Sequence, residues 1–149
     1  MTEGAPTQPL GFHATTVAVD NAAAMIVGPS GSGKSSLALQ LIGLGAKLIS
    51  DDYSRVEVGE AGPFVLAPDR LQGVIEARGV GLINVPWKAS ARLQLVVDMA
   101  QDEVERHPGS RRLTNIGGYD IDLVLRVDAP YFACALYHLL KSGRYDATS

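Results

Sequence analysis

The sequence predicts a single α/β domain whose β-sheet is mixed, with parallel and antiparallel strands. Three observations predict it. The chain has 149 residues, which suits one domain. Short segments rich in β-branched residues recur along it, and one of them runs through a glycine-rich loop into an amphipathic helix. We expect a mixed sheet because a hairpin, rather than a βαβ unit, precedes that loop.

The first predicted elements are an arm and a hairpin. Residues 1–11 contain two prolines, two glycines and few apolar side chains, which predicts a flexible N-terminal arm. The domain is then expected at 12–149. Residues 15–19 and 22–27 are apolar or β-branched and flank the turn signal Asp20-Asn21, so they predict the two strands of the hairpin.

A helix and a strand are predicted after the loop. In residues 34–44, leucines at positions 37, 41 and 44 share one helix face, and Gly45 is a typical helix end. Residues 46–50 read as a strand that ends at an aspartate pair. Further strands are predicted at 54–58, 64–67, 74–78, 81–85, 93–98 and 121–127, with a helical turn at 68–71, a solvated loop at 101–112 and a last helix at 131–140.

Composition excludes several classes of function. The net charge of -3 disfavours non-specific nucleic-acid binding. No basic segment precedes Lys34, and no uncharged apolar run reaches the roughly 20 residues of a membrane span, so we expect a cytoplasmic protein without a membrane partner. Cys134 has no cysteine to pair with and is expected to be a small buried hydrophobe rather than a nucleophile. The sequence leaves homo-oligomerisation open.

The glycine-rich loop matches the phosphate-binding pattern G-x-x-x-x-G-K-[ST] between a strand and a helix. This context disfavours the alternative of a turn that binds nothing. Glycines let backbone N–H groups surround an anion, and the helix directs its positive dipole end towards it. Lys34 would reach the β- and γ-phosphates, and the Ser35 hydroxyl would hold Mg²⁺. The predicted nucleotide-binding residues are Gly28, Pro29, Ser30, Gly31, Ser32, Gly33, Lys34, Ser35 and Ser36.

An aspartate pair, Asp51 and Asp52, follows the next predicted strand. Mg²⁺ prefers carboxylate oxygen, so a phosphate-binding loop needs an acidic residue at the end of a neighbouring strand. Adjacent residues point to opposite sides, so one aspartate could address the metal while the other faces an incoming hydroxyl. The alternative is a simple turn after the strand.

Two further places carry candidate residues. Glu76 and Arg78 would share one face of a strand, where a structural ion pair and a functional role are both open. Gly79 and Gly81 indicate close approach of another backbone or a ligand. His13, before the loop, is ambiguous by itself.

Together these residues resemble the C-terminal catalytic domain of the HPr kinase/phosphorylase family, bacterial P-loop enzymes that phosphorylate a serine of the phosphocarrier protein HPr. The resemblance rests on His13, on GPSGSGKSSLALQLIGLGAKLISDD at residues 28–52 and on IEARGVGLINV at residues 75–85. It implies a P-loop kinase-like α/β fold of the HPr kinase and phosphoenolpyruvate carboxykinase type, in a short single-domain form.

The resemblance also implies roles for the matching residues. Lys34 would contact the phosphates, while Ser35 and Glu76 would surround the metal ion. Asp51 would support the metal or its waters. Asp52, by its spacing from Lys34, would be the base that takes the serine proton.

Other positions either extend the resemblance or depart from it. His13 would be an active-site residue, and Arg78 would shape the acceptor site. Ser36 stands where the family has a glutamate. Residues 126–146 lack the family's C-terminal arginine-containing block, for which Arg126 is a candidate replacement. The resemblance therefore gives no support to phosphorolysis, the reverse reaction.

The expected function is ATP- and Mg²⁺-dependent transfer of the γ-phosphoryl group to a serine of an HPr-like phosphocarrier protein in a phosphotransfer system. Two other functions stay open. A small-molecule kinase would share the loop without needing Glu76 and Arg78. A nucleotide-sensing regulatory module would bind ATP without turning it over. An ATP-turnover assay with an HPr-like acceptor separates the three.

Overall fold

A computed structural model describes residues 9–107 and 111–145. Within these ranges the chain forms a strand-rich α/β domain with two helices. In chain order the elements are β1 Leu10–Phe12, β2 Ala14–Val19, β3 Ala22–Val27, α1 Lys34–Leu44, β4 Lys47–Ser50, β5 Ser54–Gly59, β6 Gly62–Leu66, β7 Val74–Ala77, β8 Gly81–Asn84, β9 Ser90–Asp102, β10 Arg112–Ile116, β11 Tyr119–Arg126 and α2 Phe132–Ser142.

The main sheet is mixed, as the sequence predicts. Its strand order is β1-β5-β6-β9-β3-β2-β4, and β11 pairs with both β9 and β10. Strands β3 and β11 run parallel to β9, whereas the other pairs in this sheet are antiparallel. Strands β7 and β8 form a separate hairpin.

The three parallel strands determine where a ligand can bind. Because β3, β9 and β11 run in one direction, their carboxyl ends meet at the same edge of the sheet. Strand β3 ends there at Val27 and leads into the glycine-rich loop, and β11 ends there at Arg126. In α/β sheets, the crevice outside the carboxyl ends of the strands is where ligands bind.

Both faces of the sheet are covered. Val17 and Val19 of β2 pack with Leu41 of α1 and Leu136 of α2, and the intervening Ala18 belongs to the core on the opposite face. This alternation follows from the two-residue period of a strand. On the second face, side chains of β5 and β6 pack against β3 and β9, so the sheet curls over its own core.

Several boundaries differ from those predicted. Residues 101–112 were expected to be a solvated loop, but β9 extends to Asp102 and β10 begins at Arg112. Strand β9 is long because three strands pair with it: β6 with residues 90–92, β3 with residues 92–98 and β11 with residues 95–102. Strand β10 forms a hairpin with β11 through Gly117 and Gly118. Residues 108–110 lie outside the described ranges.

The N-terminal prediction falls mostly outside the described residues, which begin at Pro9. The last two residues of the predicted arm, Leu10 and Gly11, belong to β1, because their backbone pairs with Val56 and Arg55 of β5. Residues 68–71 do not form the predicted helical turn, since Leu71 has a φ of 60°, outside the helical region.

One prediction about a helix face is wrong. Cys134 is exposed, because Phe132, Ala133 and Leu136 turn the other side of α2 towards the core. Leu44 ends α1 with 41% of its surface exposed, so the buried stripe on that helix ends earlier, at Leu41. In the described ranges, no helix is long and apolar enough to cross a bilayer.

Candidate phosphate-binding site

The glycine-rich loop joins β3 to α1 in a conformation that requires glycine. Gly28, Gly31 and Gly33 have φ angles of 148°, 83° and 97°, which L side chains rarely adopt. A Cβ on Gly28 would lie only 2.7 Å from Ser32 Oγ. The first helical hydrogen bond runs from Leu37 N to Gly33 O at 3.0 Å. The loop therefore turns onto the amino end of α1, where unpaired N–H groups favour an anion.

Lys34, the first residue of α1, is 8% exposed and lies inside the loop. Its ammonium group donates to the carbonyl oxygens of Gly28 at 2.8 Å and Pro29 at 3.1 Å. Both hydrogen bonds hold the positive charge beside the loop backbone. A phosphate seated in the loop would meet this charge together with the amino end of the helix.

Asp51 is the centre of a hydrogen-bond network next to the loop. Its Oδ1 accepts from Ser35 Oγ at 2.9 Å and from Thr15 Oγ1 at 3.0 Å. Its Oδ2 accepts from the backbone N of Glu76 at 3.1 Å. Three donors on three different elements fix the orientation of this carboxylate. Because Ser35 donates its proton to Asp51, the lone pairs of its oxygen remain available to a cation.

Asp52 has a different environment from its neighbour. It adopts a left-handed φ of 68°, and its backbone N donates to Thr15 Oγ1 at 3.1 Å. The turn directs Asp51 towards Ser35 and leaves Asp52 exposed at the wall of a cleft. The side chains of the two aspartates thus face different surroundings, as predicted for adjacent residues at the end of a strand.

This cleft, which we call the phosphate cleft, has a volume of about 410 Å³ and brings most of the predicted site residues together. Gly28, Pro29 and Ser32 complete the loop without lining the cleft, and Asp51 lies next to it through Ser35. The predicted residues that line it are Ser30, Gly31, Gly33, Lys34, Ser35, Ser36, Asp52, Glu76 and Arg78.

The β7–β8 hairpin forms the far wall of the phosphate cleft. Glu76 lies on β7, but Arg78 lies in the turn after it, so the two do not share a strand face as predicted. They form no ion pair within the described residues. No other group lies within 4 Å of a Cβ placed on Gly79 or Gly81, so no other backbone among the described residues approaches them closely. Their φ angles of 88° and 121° show instead that the turn itself requires glycine.

His13 lies beside the phosphate cleft rather than in its wall. It is exposed between β1 and β2, and its ring meets the ring of Tyr53 edge-on at 5.9 Å between centroids. Since Tyr53 follows Asp52, the histidine contacts the segment that carries the aspartates.

Arg126 lies at the end of β11, on the other side of the loop from the aspartates. It donates to Asp102 at 2.8 Å and lies 3.5 Å from Asp128. The hydrogen bond to Asp102 and the charge of Asp128 raise the pKa of the Arg126 guanidinium. This arginine is therefore paired with two carboxylates and does not line the phosphate cleft.

Thr15 is a site residue that the sequence reading missed. It is fully buried in β2, and its hydroxyl donates to Asp51 while accepting from the backbone of Asp52. A buried hydroxyl needs a hydrogen-bond partner. Two threonines within an otherwise apolar strand could therefore have indicated that this strand contacts polar residues elsewhere in the chain.

The oxygen donors in and next to the phosphate cleft fit Mg²⁺. A hydroxyl from Ser35 and carboxylates from Asp51 and Glu76 are hard oxygen ligands, and Mg²⁺ uses one or two carboxylates while keeping several waters and phosphate oxygens. The described ranges contain no group of three or more His, Cys, Asp or Glu side chains that could by itself hold a metal ion.

A larger cleft, of about 510 Å³, lies between β9, β11 and the end of α2. Its cationic residues Arg111 and Arg144 pair with Asp122 at 2.6 Å and 3.9 Å. None of the predicted site residues lines it. The candidate site is thus the smaller phosphate cleft.

The fold and the loop define a P-loop kinase-like α/β domain. A family model described as the HPr Serine kinase C-terminal domain matches residues 7–124. The chain therefore belongs to the HPr serine kinase C-terminal domain family.

Curated relatives agree with this membership. The HPr kinase/phosphorylase of Xanthomonas campestris pv. campestris (strain B100) is 34% identical over 129 residues, covering 76% of this chain and 40% of that protein. That of Stenotrophomonas maltophilia (strain K279a) is 34% identical over 130 residues, with 80% and 40% covered. The chain thus spans about 40% of the length of these relatives.

A solved structure shows the same fold. The Hpr(Ser) kinase/phosphatase from Coxiella burnetii superposes with a TM-score of 0.74 at 21% identity, covering 89% of this chain and 88% of that one. The P-loop kinase-like fold predicted from the sequence is confirmed.

Proposed function

We propose that this domain is an ATP- and Mg²⁺-dependent serine kinase that acts in the cytoplasm on an HPr-like phosphocarrier protein. One observation carries the proposal. Ser35 and Asp51 are joined by a hydrogen bond beside the buried Lys34, and a second aspartate, Asp52, faces the same cleft. Relatives at 34% identity are named HPr kinase/phosphorylase, which supports the acceptor class.

The loop and its lysine would hold the triphosphate. Backbone N–H groups at the start of α1 favour its negative charge, and Lys34 adds a cation that is already held in place by Gly28 and Pro29. Ser35 and Glu76 would hold Mg²⁺, with Asp51 orienting Ser35 and the metal's waters. When bound, the ion supplies charge neutralisation on the phosphoryl group.

Asp52 would accept the proton of the acceptor serine. Its carboxylate is exposed in the phosphate cleft, whereas that of Asp51 is occupied by three donors. As the serine Oγ–H proton moves to Asp52, Oγ forms a bond to the γ-phosphorus. The bond from that phosphorus to the β–γ bridging oxygen breaks, and ADP leaves. Arg78, in the β7–β8 turn at the cleft wall, would contact the acceptor.

His13 would contribute from the side of the site. Its edge-on contact with Tyr53 places it next to the turn that carries both aspartates. We assign His13 the role of positioning that turn and, through it, Asp52.

The direct test is transfer of label from γ-labelled ATP to an HPr-like protein in the presence of Mg²⁺. We expect labelled acceptor serine, and no label when that serine is replaced by alanine. Lys34→Ala should abolish transfer, because the loop loses its cation. Lys47→Ala is the matched control, since Lys47 is exposed on β4 and lies outside the cleft.

The other outcomes separate the alternatives. ATP hydrolysis or transfer to a small molecule, without labelling of any HPr-like protein, would contradict the protein-kinase proposal and indicate a small-molecule kinase. Tight Mg²⁺·ATP binding without turnover would indicate a nucleotide-sensing module. Incubating phosphorylated acceptor with inorganic phosphate measures the reverse reaction, which the proposal does not include.

A further inference from the structure

A second cleft lies on the opposite side of the glycine-rich loop from the aspartates. It has a volume of about 240 Å³ and shares Gly33 and Ser36 with the phosphate cleft. One wall is the first turns of α1, including Gln40, and the other is the junction between β11 and α2. We call it the β11–α2 cleft.

The sheet order sets which end of a triphosphate can reach each cleft. Strand β3, which carries the loop, has β2 and β4 on one side and β9 on the other, with β11 beyond β9. The carboxylates follow β4, so Mg²⁺ and the terminal phosphate belong on that side. The remainder of the ligand would then leave the loop on the β9 side, because the carboxylates after β4 would repel further phosphate.

The β11–α2 cleft has both apolar and polar walls, a combination that suits a flat heterocyclic group with polar edges. Leu37, Met99, Val127 and Phe132 line it. Met99 also packs against the loop, since a Cβ on Gly33 would lie 3.6 Å from its terminal methyl carbon. Ligand sites typically combine such apolar walls with a few polar groups that fix orientation. Here Gln40, Arg126 and Asp128 are among the polar groups, and Arg126 lies 3.5 Å from Asp128.

An independent observation points to the same place. Ser32, at the tip of the loop, lines the β11–α2 cleft, and its Oγ is buried without a hydrogen-bond partner among the described residues. A buried hydroxyl left unpaired is costly, and such groups in native structures call for an explanation such as a bound ligand. A phosphate or ribose oxygen leaving the loop on this side would supply the missing partner.

We infer that the β11–α2 cleft binds the nucleoside of the triphosphate, with its base between Gln40 on α1 and Phe132 on α2. The inference rests on the proposed phosphate site, because the nucleoside is directed towards this cleft only if the phosphates are bound in the loop. It assigns α2 and the end of β11 to nucleotide recognition, and it gives Gln40 a role in ligand affinity.

The test compares two ligands that share their phosphates. Mg²⁺·ATP carries the nucleoside and Mg²⁺·tripolyphosphate does not, so calorimetric affinities for both isolate the nucleoside contribution. Gln40 is exposed on α1, so Gln40→Trp should fold normally while filling the cleft. We expect it to weaken ATP binding by about tenfold or more, the scale of one lost base-stacking contact. Tripolyphosphate affinity should stay within about twofold, as for other exposed substitutions.

Leu44→Trp is the matched control, because Leu44 is also exposed on α1 but lies outside both clefts. It should leave both affinities unchanged. Equal effects of Gln40→Trp on the two ligands, or no effect on either, would overturn the nucleoside site while leaving the phosphate site intact. Failure of the unmodified domain to bind either ligand would instead overturn the proposed function, and the nucleoside site with it.

Discussion

Ser35 donates from its hydroxyl to Oδ1 of Asp51 across 2.9 Å, and this contact joins the start of α1 to the end of β4. The hydroxyl is thereby oriented with its lone pairs directed away from the carboxylate. Asp51 itself is held by Thr15 and by the backbone of Glu76. Ser35 and Asp51 are therefore oriented by the fold before any ligand arrives, which reduces the cost of binding.

The two aspartates should respond differently to amidation. Asp51→Asn replaces one acceptor oxygen with an NH₂ group, so at least one of its three donors loses its partner. We expect the free energy of unfolding to fall by about 1–3 kcal/mol and Mg²⁺·ATP to bind more weakly. Chemical denaturation and calorimetry measure both quantities.

Asp52→Asn should instead leave stability and Mg²⁺·ATP binding almost unchanged, because asparagine tolerates the left-handed φ of 68°. Phosphoryl transfer to the serine should drop by about 10²–10⁴-fold, the usual contribution of a general base. If the two phenotypes are exchanged, the base is Asp51. If neither variant changes binding or transfer, the pair is only a turn after β4.

Glu76→Gln should raise the Mg²⁺ concentration needed for half-maximal transfer, since a neutral amide binds a hard cation less well than a carboxylate. Its melting temperature should match that of the unmodified domain, because no ion pair with Arg78 is lost within the described residues. Glu57→Gln, on an exposed position of β5, is the control. A lower melting temperature with unchanged Mg²⁺ dependence would make Glu76 structural.

Thr15→Val keeps the shape of the side chain and removes its hydroxyl. Asp51 loses one donor and the backbone of Asp52 loses its acceptor, so we expect destabilisation of about 1–3 kcal/mol and a higher Mg²⁺ requirement. Thr16→Val is a close control, because Thr16 is equally buried but its hydroxyl pairs with Ser54 Oγ at 2.8 Å. Loss of stability in both variants with the same Mg²⁺ dependence would show that Thr15 does not position the site.

A fourth prediction concerns acid stability. Arg112 donates to both carboxylate oxygens of Glu103, at 2.8 Å and 2.9 Å, and holds the pKa of Glu103 at about 2, below its ordinary value of 4.5. Because the folded state lowers this pKa, the pair stabilises the fold above pH 4.5, and the contribution is lost as the pH falls from 4.5 towards 2.

Glu103→Gln should accordingly lower the urea midpoint at pH 7 and lose less stability than the unmodified domain between pH 4.5 and 2. The exposed Glu60, in the turn between β5 and β6, provides the control Glu60→Gln. Parallel acid profiles for Glu103→Gln and the unmodified domain would contradict the assignment.

The sequence predicted those parts of the fold whose signals are local. The glycine pattern and the leucine spacing define the loop and α1, and the strand before Asp51 is a short apolar run. Strand β10 was not predicted because Arg112–Ile116 mixes polar and apolar residues without a strict alternation, and it forms a strand by pairing with β11. Thr15 was not predicted as a site residue because its role depends on Asp51. The two residues are distant in the chain and come together only through the pairing of β2 with β4.

The position of β9 in the sheet has a consequence for the order in which the domain assembles. The loop, both aspartates and Glu76 all precede Ser90, yet β3 gains its parallel neighbour only when Ala22 pairs with Arg92 and Val27 with Asp98. During synthesis on a ribosome, every residue proposed to act on phosphate would emerge before the strand that supports them. Pairings this remote in sequence form slowly. The segment that carries the proposed site would therefore be fully synthesised before β9 is available to pair with β3.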